Sequence, residues 1–249
     1  MKKVQYHLLG FPKVVTTDEL FEAQRLINEE QATLDVMEGQ VKTTKAKKGP
    51  GGAPQNILEA MRIGIEEPSK EDIRIIKRQL GRNVHQYQRA FKVMNHRTQG
   101  KFDNFIKRAK NKTVRQFWHG SRNENWWSII DSGLILRPTN AIKTGAMFGE
   151  GLYFADKSQK SIGYTSLRGS YWTGGTATKG FLSLYDVHLG SYLQIMRHQS
   201  WCYSLNKQNL RNRGQYDSLF AEGGADLRNN EFIVYDDAQC TIKYLVEIK

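Results

Sequence analysis

Three short segments, in chain order, carry side chains suited to breaking a sugar bond whose leaving group is already cationic: His119-Gly120-Ser121, Tyr153-Phe154-Ala155-Asp156 and Asn230-Glu231-Phe232-Ile233-Val234-Tyr235. Such a cleavage passes through an oxocarbenium-like cation, so it needs a carboxylate near the anomeric carbon. A base that departs neutral needs no general acid. Glu231, opening a strand-like run, is the candidate carboxylate; the alternative is a strand-end glutamate in an ordinary salt bridge. His119 closes an apolar run, where an imidazole can hydrogen bond a ribose hydroxyl and orient a nucleotide. Gly120 has no side chain, so its backbone can approach an amide closely and both donate and accept. Ser121 can add a hydroxyl to the nucleotide, and with Glu124 it equally fits a capping box.

Asp156 is a natural helix N-cap, and the helix it would start places Ser161 and Tyr164 three apart on one face. That spacing presents a hydroxyl and a ring to one ligand. A tyrosine ring over a cationic pyridinium gains cation-π attraction. The alternative is that Tyr153 and Tyr164 are both core residues.

With the intervening Met147-Phe148-Gly149-Glu150-Gly151-Leu152-Tyr153, these motifs resemble the catalytic domain of the poly(ADP-ribose) polymerases, from about Phe117 to Tyr244. The resemblance implies an α+β ADP-ribosyltransferase fold: split, mainly antiparallel sheets around an NAD cleft, flanked by short helices. It implies NAD as substrate, no metal, and His119, Tyr153 and Glu231 as the catalytic triad. It gives Gly120 and Ser161 the nicotinamide carboxamide, and has Tyr164 and Tyr153 stack on the ring from its two sides. Asn125 and Arg137 match positions near the adenosine and diphosphate end. Met147 and Lys160 match positions around the acceptor. The acceptors implied are proteins, the enzyme itself included.

Three departures bear on the product and its control. Elongating relatives tend to carry an aromatic residue two before the catalytic glutamate, and here that residue is Asn229. The acceptor loop is altered and cationic, running through Asn206-Lys207-Gln208-Asn209-Leu210-Arg211-Asn212-Arg213 to Gly223-Gly224. Residues 1–48 are fewer than the helical regulatory domain of relatives activated by DNA breaks, so activity is expected without DNA. Transfer of a single ADP-ribose, transfer to a nucleic-acid end, and an inactive ADP-ribose or nucleic-acid binding module stay open. The last is disfavoured because binding alone needs no carboxylate poised at a developing cation.

The elements that must position these residues belong to a 249-residue chain with 39% hydrophobic and 11% aromatic residues, enough to bury a core. No apolar run approaches the roughly 18 residues of a membrane span, and no signal peptide is evident, so an intracellular protein, nuclear or cytoplasmic, is expected with no membrane partner. The two cysteines, Cys202 and Cys240, supply neither a disulfide framework nor the four ligands of a structural zinc. A formal charge of +12 favours polyanions, nucleic acid among them, or is simply a soluble basic surface. The oligomeric state is open.

Residues 1–55 read as an N-terminal extension before a catalytic domain over 56–249. Leu20, Ala23, Ile27, Leu34 and Met37 recur near helical period between Thr17 and Gly39, followed by a basic tract and the linker Gly49-Pro50-Gly51-Gly52-Ala53-Pro54. Ser69-Lys70-Glu71-Asp72 resembles a capping box for a helix that Gly81 stops. Strands are expected around 87–93, over 114–119, 152–155, 181–189, 231–235 and 240–248, the last two as antiparallel partners. The helix after His119 should bury Trp126, Trp127, Ile129 and Ile130 and end at Gly133.

Overall fold

The computed structural model describes residues 57–136 and 147–249. The extension and linker expected over 1–55, and Arg137, lie outside the described residues.

The first described elements are a short helix α1 (Ile57–Ala60) and strand β1 (Ile63–Glu66). Helix α2 (Lys70–Leu80) starts where the sequence places it. The Ser69 hydroxyl accepts the Asp72 N–H at 3.1 Å while Asp72 accepts the Ser69 N–H at 3.0 Å, closing a capping box with aspartate. Gly81 ends it at φ 56°, a left-handed conformation that favours glycine. Strand β2 (Tyr87–Asn95) leads straight into helix α3 (His96–Arg108), and buried Asn95 serves both. Its Oδ1 caps the helix through the N–H groups of Arg97 and Thr98, and its Nδ2 donates to the carbonyls of Ile130 and Asp131.

Strand β3 (Val114–Gly120) is followed by helix α4 (Trp126–Ser132), which buries Trp126 and Ile130 and ends at Gly133 as expected; Trp127 and Ile129 are only partly covered. Strand β4 (Leu152–Phe154), helix α5 (Ser158–Ile162), β5 (Gly180–His188) and β6 (Tyr192–Ile195) come next. Helix α6 (Lys207–Asn212), β7 (Ser218–Ala221), β8 (Glu231–Val234) and β9 (Cys240–Ile248) complete the domain.

The strands divide into two sheets. One has the order β1-β2-β9-β5-β3, antiparallel throughout; the other is β4-β8-β7-β6, antiparallel except for the parallel β6·β7 pair. This is the split, mainly antiparallel α+β arrangement expected, with one correction. Strands β8 and β9 are not partners: β8 pairs with β4 and β7, and β9 with β2 and β5. The corner between them is held by buried Gln239, which accepts the Tyr235 N–H and donates to the carbonyls of His188 and Asp217. These bonds satisfy backbone groups that a hairpin would have paired locally.

Apolar faces hold the sheets together. Phe117 of β3 stacks on Phe232 of β8 at 4.1 Å between ring centroids, and Phe232 stacks on Phe220 of β7 at 4.7 Å. Phe117 and Phe232 are buried and each contribute about 1.5–3 kcal/mol relative to exposure, while Phe220 is half-buried. Trp118 and Ala155 exchange both backbone hydrogen bonds, at 2.8 and 2.9 Å, and join β3 to the end of β4. The seam between the sheets therefore has β3 on one side and β4 and β8 on the other.

Candidate active site

The residues singled out from the sequence gather at this seam. In β8, Glu231 and Ile233 share a face by period-two alternation, and Ile233 lies opposite Tyr153 of β4. Glu231 is thus a diagonal cross-strand neighbour of Tyr153. The other face carries Phe154 and Phe232 into the core. Across the seam, His119 donates its Nδ1 proton to the Tyr153 carbonyl at 3.0 Å. A carbonyl can only accept, so this bond fixes the tautomer and leaves Nε2 as the acceptor.

Gly120 follows, pressed against α5: a Cβ built there would lie 1.9 Å from the Ser161 carbonyl oxygen. No residue with a side chain fits without separating β3 from α5. The reciprocal pair of hydrogen bonds between Trp118 and Ala155 points the backbone groups of Trp118 away from β5, and alternation points those of Gly120 the same way. Gly120 therefore offers one N–H and one C=O at the cleft edge, the complement of a carboxamide. Ser161 is buried on α5, and the Tyr164 N–H returns to the Ser161 carbonyl at 3.1 Å, so one tight turn carries both residues.

Two expectations about this turn are corrected. Asp156 does not cap α5; Lys157 occupies the N-cap without a side-chain bond, and Asp156 instead accepts Asn230 Nδ2 at 2.8 Å. Tyr164 lies beyond the helix, whose C-cap is Gly163, and keeps its relation to Ser161 through that turn. The capping box of Ser121 with Glu124 is absent as well. Ser121 Oγ accepts Asn125 Nδ2 at 3.0 Å, and Glu124 faces Ser166 and Arg122. The serine and the asparagine thus form one polar pair beside the strand end.

Electrostatics follow from burial. Glu231 is 8% exposed and paired with Lys160, itself largely covered. Burial lowers the Lys160 ammonium below its usual range, against the opposing pull of Glu231 and Asp156. Burial pushes the Tyr164 phenol up to about 12 and Tyr153 higher still, and the Glu231 charge adds to both. Both rings are therefore neutral at physiological pH. Burial lowers the His119 imidazole below 6.5, which keeps Nε2 free of a proton.

The Tyr153 hydroxyl accepts the Phe148 N–H at 3.0 Å and donates to the Gly149 carbonyl at 2.9 Å, so it braces the preceding loop. Met147 in that loop is held through its carbonyl by His198 Nε2 at 2.8 Å. Lys160 pairs directly with the Glu231 carboxylate. Two further residues carried no role in the sequence reading. Asn230 bonds Asp156 and accepts the Gly223 N–H at 2.8 Å, locking the residue before Glu231. Trp172 stacks near-parallel to Tyr164 at 6.0 Å. The only signal in the sequence was the adjacency of Asn230 to Glu231; for Trp172 there was none. Among the described residues no group of three or more His, Cys, Asp or Glu gathers to hold a metal ion.

Residues 70–249 match the family described as poly(ADP-ribose) polymerase catalytic domain. The chain is 28% identical over 191 residues to a poly(ADP-ribose) polymerase-like protein, 100L, of Invertebrate iridescent virus 6, covering 74% of this chain and 97% of that protein. It is 31% identical over 180 residues to poly(ADP-ribose) polymerase 2 of Zea mays, covering 64% of this chain and 26% of that protein. With poly(ADP-ribose) polymerase 2 of Homo sapiens it shares 29% identity over 156 residues, 53% of this chain and 26% of the relative. The chain thus spans about a quarter of the plant and human relatives and nearly all of the viral one.

Proposed function

The chain belongs to the poly(ADP-ribose) polymerase catalytic-domain family, an NAD-dependent ADP-ribosyltransferase by its chemistry, and on that premise we propose that it transfers ADP-ribose to protein side chains, its own included, and extends the product into polymer. The observation that carries the reading is Glu231: a buried carboxylate at the open end of β8, diagonal to Tyr153 and fixed by Lys160. A buried charge is expensive to maintain, and one aimed at a cleft suits a developing sugar cation.

The roles proposed are those the family resemblance implies, and the geometry is compatible with them. Gly120 and Ser161 hold the carboxamide of nicotinamide, while Tyr164, backed by Trp172, and Tyr153 flank its ring. His119, as acceptor at Nε2, takes a ribose hydroxyl. Glu231 accepts from the other ribose hydroxyl, stabilises the cation and orients the acceptor nucleophile. Nicotinamide leaves neutral, so no acid is required. Ser121 and Asn125 face the nucleotide end. Met147 lines the acceptor side.

Transfer of one ADP-ribose without elongation is the second reading, and Asn229 favours it. The backbone of Asn229 packs tightly on Gly223, where a Cβ would come within 2.8 Å, and no aromatic ring stands there to hold an incoming chain. We place the protein inside the cell, consistent with two buried free cysteines; among the described residues no helix is long and apolar enough to cross a membrane.

The test incubates the purified protein with labelled NAD, with and without nicked DNA, beside Glu231→Gln. A laddered smear absent from the variant supports a polymerase and one sharp band supports single transfer. Release of nicotinamide only with nicked DNA refutes DNA-independent activity. No release under either condition refutes the enzyme reading in favour of a binding module. The Glu231→Gln substitution keeps the shape and removes the charge, and its expected loss is about 10²–10³-fold in kcat.

A further inference from the structure

The positive charge is not spread evenly over the domain. Between residues 101 and 115, covering the second half of α3, the loop after it and the start of β3, stand Lys101, Lys107, Arg108, Lys110, Lys112 and Arg115. All six are exposed, and none is in an ion pair among the described residues. The single carboxylate within the stretch is Asp103, which accepts from Gln99. Of the nearby acids, Asp186 is matched by Lys243, Asp237 accepts the Leu136 N–H and Asp217 accepts the Ser191 N–H.

A favourable end to the helix dipole accounts for Lys107 and Arg108 in the last turn of α3. It does not account for Lys101, two turns earlier, or for Lys110 and Lys112 beyond the helix; Arg115 differs in lying over the Phe117 ring, 5.3 Å from its centroid. Lys101 and Arg108, seven apart, lie along one helix face about 10 Å from each other. The stretch carries no exposed aromatic ring: Phe102 is buried and Phe105 packs edge-on against His188 at 5.1 Å.

We propose that this surface binds the phosphate backbone of duplex nucleic acid. Unpaired cations without stacking rings suit a duplex, whose bases are already stacked and whose phosphates are its accessible charge. Single strands and ADP-ribose chains, with free bases, are held on surfaces that add aromatic platforms. The patch lies at the far end of β3 from the active site: Val114 to Gly120 spans about 20 Å at ~3.3 Å per residue. Nucleic acid held there does not occupy the NAD cleft.

The test is fluorescence anisotropy of the full chain with a labelled 20-base-pair DNA duplex and with one of its strands, titrated in salt. It compares the wild type with the quadruple variant Lys107→Gln, Arg108→Gln, Lys110→Gln, Lys112→Gln. Each lost phosphate contact lowers the slope of log K against log salt by about 0.9, so the variant should lose between 3 and 4 in slope and about 10²–10³-fold in duplex affinity at 0.15 M salt. Its nicotinamide release without nucleic acid and its melting temperature should match the wild type, because these residues are exposed and remote from the cleft. A variant that folds and binds the duplex with unchanged affinity and slope overturns the proposal, as does a wild type that prefers the single strand. A variant with a lowered melting temperature is replaced by Lys110→Gln with Lys112→Gln, outside the helix, for which a slope loss near 2 is expected and an unchanged slope is again refuting.

Discussion

Replacing Gly120 by alanine adds one methyl group where the structure has no room for one. The built Cβ lies 1.9 Å from the Ser161 carbonyl oxygen and 2.8 Å from its carbon, whereas ordinary contact begins near 3.4 Å. The neighbour is backbone, so no rotamer change relieves the clash, and β3 and α5 must separate by roughly 1.5 Å. Overpacking of this kind costs about 1–3 kcal/mol of stability. For a domain of this size that is a melting shift of about 2–12 °C. The catalytic loss should be larger than the stability loss suggests, because the moved segments carry His119 and Ser161 themselves, and a displacement of about 1 Å costs near 10²-fold in rate. The alanine keeps the backbone N–H and C=O, so a lost rate reports geometry and not a deleted donor. The assay is nicotinamide release against NAD concentration, with melting of the same samples. The expected result is a folded protein at least 100-fold poorer in kcat/KM. A folded Gly120→Ala with wild-type kcat/KM would refute the close packing of β3 on α5 as the determinant of the site.

His119 titrates below 6.5 when folded because burial disfavours its charge, so on acidification the unfolded chain takes up the proton first. Stability from this residue should be complete above pH 6.5 and fall as pH drops below it; melting at pH 7.5 and 5.5 should show a steeper fall for the wild type than for His119→Gln, and equal slopes would refute the burial argument. Asn230→Asp replaces a donor to Asp156 with a like charge and should lower kcat about 10–100-fold through the position of Glu231, as expected for a half-buried pair turned repulsive. Steady-state kinetics check it, and an unchanged kcat would show that Asn230 does not position the carboxylate.

Much of the fold was legible because long strands announce themselves by alternation and helices by their caps. The capping box at Ser69 and the stop at Gly81 are local chemistry, readable from neighbours alone. Strands β1, β6 and β7 are four residues each, too short for a period to register, whereas the comparably short β4 and β8 are legible through the motifs they carry. Helix α3 was hidden by the glycine at its centre, Gly100, and by its many cations. The pairing of β8 with β9 was misread for a different reason. Two strand patterns separated by a short polar turn are usually hairpin partners, and the signal against it is non-local: Gln239 bonding to His188 and Asp217 at the corner, and β8 covered on both faces.

The active site divides along the same line. His119, Gly120, Tyr153, Ser161, Tyr164 and Glu231 could be picked out by type and motif, but what brings them within reach is packing between sheets. His119 and Gly120 follow Trp118, and Tyr153 lies two residues before Ala155, so the Trp118–Ala155 bridge sets the distance between His119 and Tyr153. The Phe117–Phe232 stack then sets the distance of β8, and so of Glu231, from β3. Neither contact is encoded within a motif. Each is the outcome of apolar faces that could have been buried in many ways, fixed in this one by Asn95, Gln239 and Asn230 satisfying backbone and side-chain groups across long stretches of chain. The candidate chemistry is therefore written in the motifs and its geometry in the polar residues between them, which is why Asp156 looks like a helix cap when read alone and instead braces the start of β8 through Asn230.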